Sequence, residues 1–410
     1  MIHCEYNIDR GVYMLPWLVL GTIVPSACFC WATAWLVRRL GPRAGLVDRP
    51  GARKIHDKPI PTSGGLAIWL GLIVPLGLGQ GLLWILREGS SALSNPPAVW
   101  ASTLPQLLAI TGIGPHLPGL GQQSPKLWLL LGGGTVLMLL GLADDRRGLD
   151  WRFRLIVQTA VAATMVACGW SAHLPWDVPW LAFAASVIWI VGLVNSFNML
   201  DNMDGLSAGV AAIAAAILAA AALLSPRPDN HQPQLFVAGF LLLIVGSLLG
   251  FLWHNRPPAR LFMGDAGSYL VGYLLAMATL TATFAGGRLP PPASGYPGAL
   301  APLCVMAVPI YDTASVVIIR LRQRRSPFVG DKSHFSHRLV DLGMTKRQAV
   351  LTIYLATATC GLGALLLHEV DTIGATLILL LVACTLLLVA VLENAGRKHH
   401  VRNLKSETKT

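Results

Sequence analysis

The sequence predicts an all-α, polytopic integral membrane protein of about eleven transmembrane helices, amino terminus out and carboxyl terminus in. Three observations lead there. The 410 residues are 54% hydrophobic and 12% charged, with a mean hydropathy of +0.59, whereas soluble domains carry roughly 25% charged residues. Eleven apolar runs approach or reach the roughly 17–25 residues that cross a bilayer. Lysine and arginine are concentrated on alternate connections between those runs.

The first run, 13–37, has no basic stretch before it and is long enough to span, so it reads as a membrane helix, not a cleaved signal. The others fall near 64–86, 127–143, 155–173, 179–196, 206–224, 235–253, 269–285, 300–319, 348–368 and 372–392. Of 31 lysines and arginines, 26 lie in 38–63, 144–154, 195–205, 254–268, 320–347 and 393–410; only Arg10, Arg87, Lys126, Arg227 and Arg288 lie on the other side. The positive-inside rule therefore makes the first set cytoplasmic. Residues 1–12 become an extracytoplasmic N-terminus, 13–392 the membrane domain and 393–410 a loose basic tail near anionic lipid. The net charge of +11 is thus topology and lipid attraction, and calls for no nucleic-acid partner. On the outside, 87–126 and 286–299 are rich in Pro and Gly, with Ser in both, and read as irregular loops. No internal repeat is visible. The seven cysteines lie mostly in apolar runs without metal-type spacing and read as packing residues.

Polar clusters gather on the predicted cytoplasmic side. The first inner loop holds DRPGARKIHDKPIPTSGG, and Asp144 and Asp145 follow the third run in GLADDRRGLD. Asn195, Asn198, Asp201 and Asp204 follow the fifth in NSFNMLDNMDGL, Asp265 lies in HNRPPARLFMGDAGS, and His334, His337 and Arg338 lie in DKSHFSHR. Taken singly, each has a plainer reading: a solvated helix end, a helix cap, surface histidines, the basic residues that topology supplies. Together they place ionisable groups of five distant loops at one membrane boundary, which is costly without a function.

Carboxylates brought together repel, and a divalent cation relieves that. Carboxylate and amide oxygens are hard donors that suit Mg²⁺ or Mn²⁺, and Mg²⁺ typically bridges few carboxylates to substrate phosphates. Arg53, Lys54, Lys58 and Arg338 would hold further anionic oxygens. On a continuous helix, steps of three drift by about 60° each, so Asn195 and Asp204 would face opposite ways. The helix is therefore expected to end near Asp201, with Asn202 and Gly205 turning the chain around a nucleotide diphosphate and its metal.

These motifs resemble the bacterial polyprenyl-phosphate N-acetylhexosamine-1-phosphate transferases. The family's K-x-H followed by P-x-x-GG is similar to Lys54, His56 and Pro61–Gly65; its Asp pair to Asp144 and Asp145; its N-x-x-N-x-x-D-G-x-D-G to Asn195–Gly205; its F-M-G-D-x-G-S to Phe262–Ser268; and its H-x-H-H-R to His334–Arg338. The five occur in family order. Two positions depart from the pattern. The glycine between the aspartates is Asn202, which tolerates a left-handed turn, and the middle histidine is Ser336.

The resemblance implies a reaction in which a sugar 1-phosphate moves from a UDP-amino sugar to a membrane polyprenyl phosphate, such as undecaprenyl phosphate, releasing UMP as the first membrane step of cell-envelope glycopolymer synthesis. It implies Mg²⁺ at Asp265, joined by Asn198. Asp144 is implied as the group that activates the acceptor, with Asp145 beside it. Asn195, Asp201, Asp204, His334, His337 and Arg338 are implied around the nucleotide and diphosphate, and Lys54 and Lys58 at phosphate oxygens. The acceptor is largely dianionic near neutral pH, since a phosphate monoester has its second pKa at about 6, so direct attack is favoured over an aspartyl intermediate. The expected setting is the bacterial inner membrane with the site facing the cytoplasm, and a homodimer is left open. The first loop and the H-x-S-H-R segment look more like the N-acetylglucosamine branch than the muramoyl-pentapeptide branch, whose last loop commonly carries three consecutive histidines. A multi-pass transporter or flippase is the rival class; it would place acids deeper in the bilayer, as only Asp312 is here.

Overall fold

The computed structural model describes residues 2–48, 59–92, 117–172, 178–224, 234–284, 300–327, 333–367 and 370–407. Helices dominate: α1 (Ile2–Leu40), α2 (Gly64–Ala92), α3 (Leu117–Arg147), α4 (Trp151–Ala167), α5 (Pro179–Leu200), α6 (Leu206–Leu224), α7 (Leu235–Asn255), α8 (Gly264–Phe284), α9 (Ala301–Val305), α10 (Ala307–Arg322), α11 (Phe335–Asp341), α12 (Lys346–Leu366) and α13 (Thr372–Glu407). Two short strands, β1 (Val47–Asp48) and β2 (Ile60–Pro61), pair antiparallel with Val47 opposite Pro61. The protein is an all-α, multi-pass membrane protein.

Each apolar run of the sequence contributes helix over most of its described residues, and among the described residues eight helices are long and apolar enough to cross a membrane. The ninth run breaks into α9 and α10 around Met306. Pro309 explains the break: it has no N–H to offer the Val305 carbonyl, and its ring clashes with the carbonyl four residues back. The helices also outrun the apolar segments. Arg87 to Ala92 finish α2 and Leu117 to Lys126 open α3, where an irregular loop was expected. The expected loose tail instead continues α13 to Glu407, through a stretch with no proline. The 286–299 loop lies outside the described residues.

The centre of the bundle is α8, packed by α2, α3 and α5; its side chains from Tyr269 to Ala278 are buried. Large apolar side chains such as Ile188, Leu355 and Leu377 point outward. That arrangement would be unfavourable in water and is what lipid requires. Of the described cysteines, Cys30, Cys304 and Cys360 are buried, Cys28, Cys168 and Cys384 are exposed, and none is in a disulfide.

One end of the bundle gathers the polar motifs. Backbone bonds lay the PTSGG segment along RLFMG: Phe262 N donates to the Pro61 carbonyl, Gly64 N to that of Phe262 and Gly65 N to that of Met263. Gly264 then starts α8 with φ +68°, where a Cβ would sit 2.5 Å from both Asp145 Oδ2 and the Thr62 carbonyl oxygen. Across from it, a Cβ on Gly141 of α3 would lie 2.4 Å from the Asp265 backbone. Both glycines exist so that α3, α8 and the first loop can touch. Gly264→Ala is expected to lose about 1–3 kcal/mol of stability, measured as the thermal midpoint of the purified protein.

Candidate active site

Asp144 and Asp145, expected after the third run, lie instead in the last turn of α3, because the helix runs on past the apolar segment until Gly148 at φ +65° donates its N–H to the Asp144 carbonyl. Neighbouring residues on a helix point about 100° apart, so the two acids meet different partners. Asp144 is buried and accepts hydrogen bonds from Arg154 Nη1 (2.6 Å), the Leu149 N–H (2.7 Å) and the Tyr269 hydroxyl (3.0 Å). Asp145 accepts from the Asp265 and Ala266 N–H groups at 3.0 and 3.2 Å. It caps the start of α8, where the helix dipole favours a negative charge. That geometry makes Asp145 the residue that holds Asp265 in place.

Asp265 stands at the mouth of this cluster. Its Oδ1 accepts from Asn198 Nδ2 at 2.6 Å, and the same amide donates to Ser268 Oγ at 3.1 Å. Its Oδ2 has Arg154 Nη1 at 4.0 Å, and the side chain is 32% exposed against 3% for Asp144. Asp265 is therefore the carboxylate that a ligand can reach. Arg154, on the first turn of α4, is the cation shared by Asp144 and Asp265. Sequence reasoning counted Arg154 only as a topology charge and missed Tyr269. An arginine in the first turn of an apolar helix, ten residues after an Asp pair, was the available signal.

The expected helix end is found: α5 stops at Leu200 and Asp201 is its C-cap. The left-handed turn falls on Gly205 at φ +76°, and Asn202 is not left-handed. Asp204 accepts from the Ala259 N–H (2.9 Å), and Asn255 receives the Gly205 N–H (2.9 Å) and donates to the Leu261 carbonyl (2.9 Å). These bonds tie the Asp201–Gly205 turn to the segment that leads into α8. Asn195 donates to Gln158 Oε1 and to the Val191 carbonyl, so its NH₂ is committed to the bundle. Asp201 has no side-chain hydrogen bond among the described residues.

The histidine segment is anchored from behind. His334 Nδ1 lies 3.0 Å from Asp312 Oδ2, and the Phe335 N–H donates to Asp312 Oδ1 at 2.6 Å. The deep acid of the ninth apolar run thus orients His334, and His337 stands with its ring 6.4 Å from that of His334. Arg338, expected at the diphosphate, is buried and turned inward. It donates to Glu393 Oε2 (2.9 Å), Ser315 Oγ (2.9 Å) and the Ser333 carbonyl. Arg53, Lys54, His56 and Lys58 lie outside the described residues.

Asp144, Asp145, Asp201 and Asp265 thus act on one another, and Arg154 is paired with only two of them, Asp144 and Asp265. Burial, with repulsion from Asp265 and Asp204 added, pushes Asp201 up to about 8. Desolvation, followed by the influence of Asp145 and Asp144, pushes Asp265 to about 8 as well. A carboxyl whose folded pKa exceeds its unfolded value of about 3.9 keeps a proton that the unfolded chain releases, so stability falls as pH rises through that window. Without divalent cations, the thermal midpoint should decline from about pH 5 to about pH 8, and Mg²⁺ added at the upper end should restore it. A flat profile in EDTA would contradict this electrostatic picture.

Among the described residues, no three His, Cys, Asp or Glu side chains form a ready metal cage. Mg²⁺ is commonly held by one or two carboxylates and completes its shell with phosphate oxygens and water. Asp265 supplies the reachable carboxylate, and Asn198, with its NH₂ on Asp265, keeps its amide oxygen free of donors among the described residues.

The family model described as Glycosyl transferase family 4 matches residues 127–283, the stretch from α3 to the end of α8 that carries Asp144, Asp145, Asn198, Asp201 and Asp265. The chain is similar to a decaprenyl-phosphate N-acetylglucosaminephosphotransferase of Mycolicibacterium smegmatis, 31% identical over 82% of this chain and 78% of that one. It is also similar to a probable undecaprenyl-phosphate N-acetylglucosaminyl 1-phosphate transferase of Bacillus subtilis, 28% identical over 82% and 80%. A third similar protein is the undecaprenyl-phosphate alpha-N-acetylglucosaminyl 1-phosphate transferase of Yersinia pestis, 25% identical over 80% and 79%.

Proposed function

Because the chain belongs to glycosyl transferase family 4, the polyprenyl-phosphate N-acetylhexosamine-1-phosphate transferases, we propose that it transfers N-acetylglucosamine 1-phosphate from a UDP-sugar to polyprenyl phosphate and releases UMP. The observation that carries this reading is the reachable Asp265 carboxylate, set beside Arg154, Asp144 and Asn198 at the end of a membrane bundle. A lipid phosphate needs a site open to the bilayer edge, and a nucleotide needs one open to water. A helix-end cluster serves both.

In the proposed reaction an oxygen of the lipid phosphate attacks the β-phosphorus of the UDP-sugar. The new P–O bond forms as the bond from that phosphorus to the bridging oxygen breaks, and UMP leaves with the electron pair. The attacking phosphate is already largely dianionic, its second pKa being about 6, so no strong base is required. The problem is charge: two anions must meet. Bound Mg²⁺ would neutralise phosphate oxygens at this step. Arg154 adds a fixed positive charge, and the hydrogen bonds from Asn198 and the α8 amides hold Asp265 and Asp145 in place before substrate arrives. Asp144, locked by three donors, orients Arg154. The Asp201–Asp204 turn and the His334–His337 segment are assigned to the nucleotide side. The excess of lysine and arginine on one set of connections, 26 of 31, supports placing this end in the cytoplasm of a bacterial inner membrane.

The test is a donor competition. Purified protein receives polyprenyl phosphate and Mg²⁺ with UDP-N-acetylglucosamine and UDP-N-acetylmuramoyl-pentapeptide, each labelled in turn. Lipid-linked label from the first is expected. Label only from the second would move the chain to the muramoyl branch, and none from any UDP-sugar would refute the transferase reading.

A further inference from the structure

The two positions that depart from the motif pattern touch each other. Ser336 Oγ donates to Asn202 Oδ1 at 2.5 Å, across 134 residues of sequence, and Asn202 Nδ2 donates to the Met199 carbonyl at 3.0 Å. Ser336 is 1% exposed, so this bond is made away from water. It joins two functional segments. Asn202 sits between Asp201 and Asp204 in the turn after α5, and Ser336 sits between His334 and His337 in the first turn of α11.

The rest of α11 is held from the far side. Asp312 of α10 takes His334 and the Phe335 N–H, and Glu393 of α13 takes Arg338. Those bonds fix the helix against the bundle but do not fix its separation from the acidic turn. The Asn202–Ser336 bond spans that separation. Both side chains are short, Asn202 has its NH₂ tied to its own helix end, and the serine hydroxyl therefore meets an acceptor already held in place. Replacing Ser336 by the larger imidazole would drive it into the Asn202 amide, and removing the side chain at 202 would make room for it.

The geometry points to Asn202 and Ser336 as a matched positioning pair that sets the distance between the acidic turn and the histidine segment, and with it the fit of the nucleotide donor. This rests on the transferase reading and adds to it two residues that contact neither metal nor reacting phosphate.

Transfer kinetics of the full-length purified protein test the pair through Ser336→Ala, Ser336→Thr, Ser336→His, Asn202→Gly and the double variant Asn202→Gly/Ser336→His. Loss of one neutral hydrogen bond predicts a rise of about five- to tenfold in KM for the UDP-sugar with Ser336→Ala, kcat changing by less than about twofold. Ser336→Thr keeps the hydroxyl and should stay near wild type. Ser336→His alone should fall furthest, and Asn202→Gly on that background should restore activity instead of adding a second loss. Additive losses in the double variant, or a fall in kcat with KM unchanged, would overturn the pairing. A wild-type protein that transfers nothing from any UDP-sugar would overturn the transferase reading and this inference with it. Wild-type transfer with additive variants would overturn only the inference.

Discussion

Asp265→Asn is expected to remove transfer almost completely, by about three orders of magnitude, yet to leave the metal-free protein more stable than the wild type. The first half follows from electrostatics: taking one preorganised charge from a phosphoryl-transfer site costs about 10²–10³ in rate, and here the same carboxylate is the one a ligand can reach. The second half follows from the crowd around it. Partial desolvation disfavours the charge on Asp265, and Asp145 and Asp144 push against it. An amide of the same shape accepts the Asn198 hydrogen bond with its oxygen and relieves that repulsion. Opposite movements of activity and stability distinguish a charge kept for function from one kept for structure. Product formation and thermal midpoints on the same preparation check both; activity within tenfold of wild type would remove Asp265 from the centre of the site.

Glu393→Ala is expected to produce the largest loss of stability, about 3–5 kcal/mol, because it strands a buried guanidinium. Arg338 is 5% exposed and Glu393 7%. The pair also gathers the Tyr311 hydroxyl at 3.0 Å and Ser315 at 2.9 Å. Arg338→Ala should cost a similar amount, since it leaves Glu393 as a lone buried carboxylate. Replacing both with apolar residues of similar size should cost much less than the two single losses together, as expected for an ion pair whose attraction mainly offsets its own desolvation. Because Glu393 belongs to α13 and Arg338 to the histidine segment, the single variants should also lower transfer. Unfolding monitored by helical signal in detergent, compared with transfer at permissive temperature, separates the two effects. Single variants within about 1 kcal/mol of wild type would show that the pair is not structural.

Much of this was legible in the residues. Helical membrane spans follow from apolar runs, and a helix stop at Asp201 followed from asking which way residues three apart would face. The gathering of five loops followed from their common side. Other features depended on partners far apart in the chain. Asp144 and Asp145 read alike in sequence, but a 100° turn sends one to Arg154 and the other to the start of α8. Arg338 read as a phosphate ligand because its loop is basic. Its guanidinium turns inward because Glu393, the one acid in the apolar Thr372–Glu393 part of α13 and 55 residues on, lies behind it. Asn202 read as a stand-in for a flexible glycine, but Gly205 makes the left-handed turn and Asn202 meets Ser336. In each case the chemistry of the residue was visible and its direction was not.

The most direct measurement is transfer itself under control of the metal. Wild-type protein and Asp265→Asn, in detergent with polyprenyl phosphate and labelled UDP-N-acetylglucosamine, are followed for UMP release and lipid-linked label together, first in EDTA and then with Mg²⁺ restored. The account predicts equal UMP and lipid label from the wild type only with Mg²⁺, and about a thousandfold less of both from Asp265→Asn under the same conditions. Undiminished transfer in EDTA, or by Asp265→Asn, would contradict it.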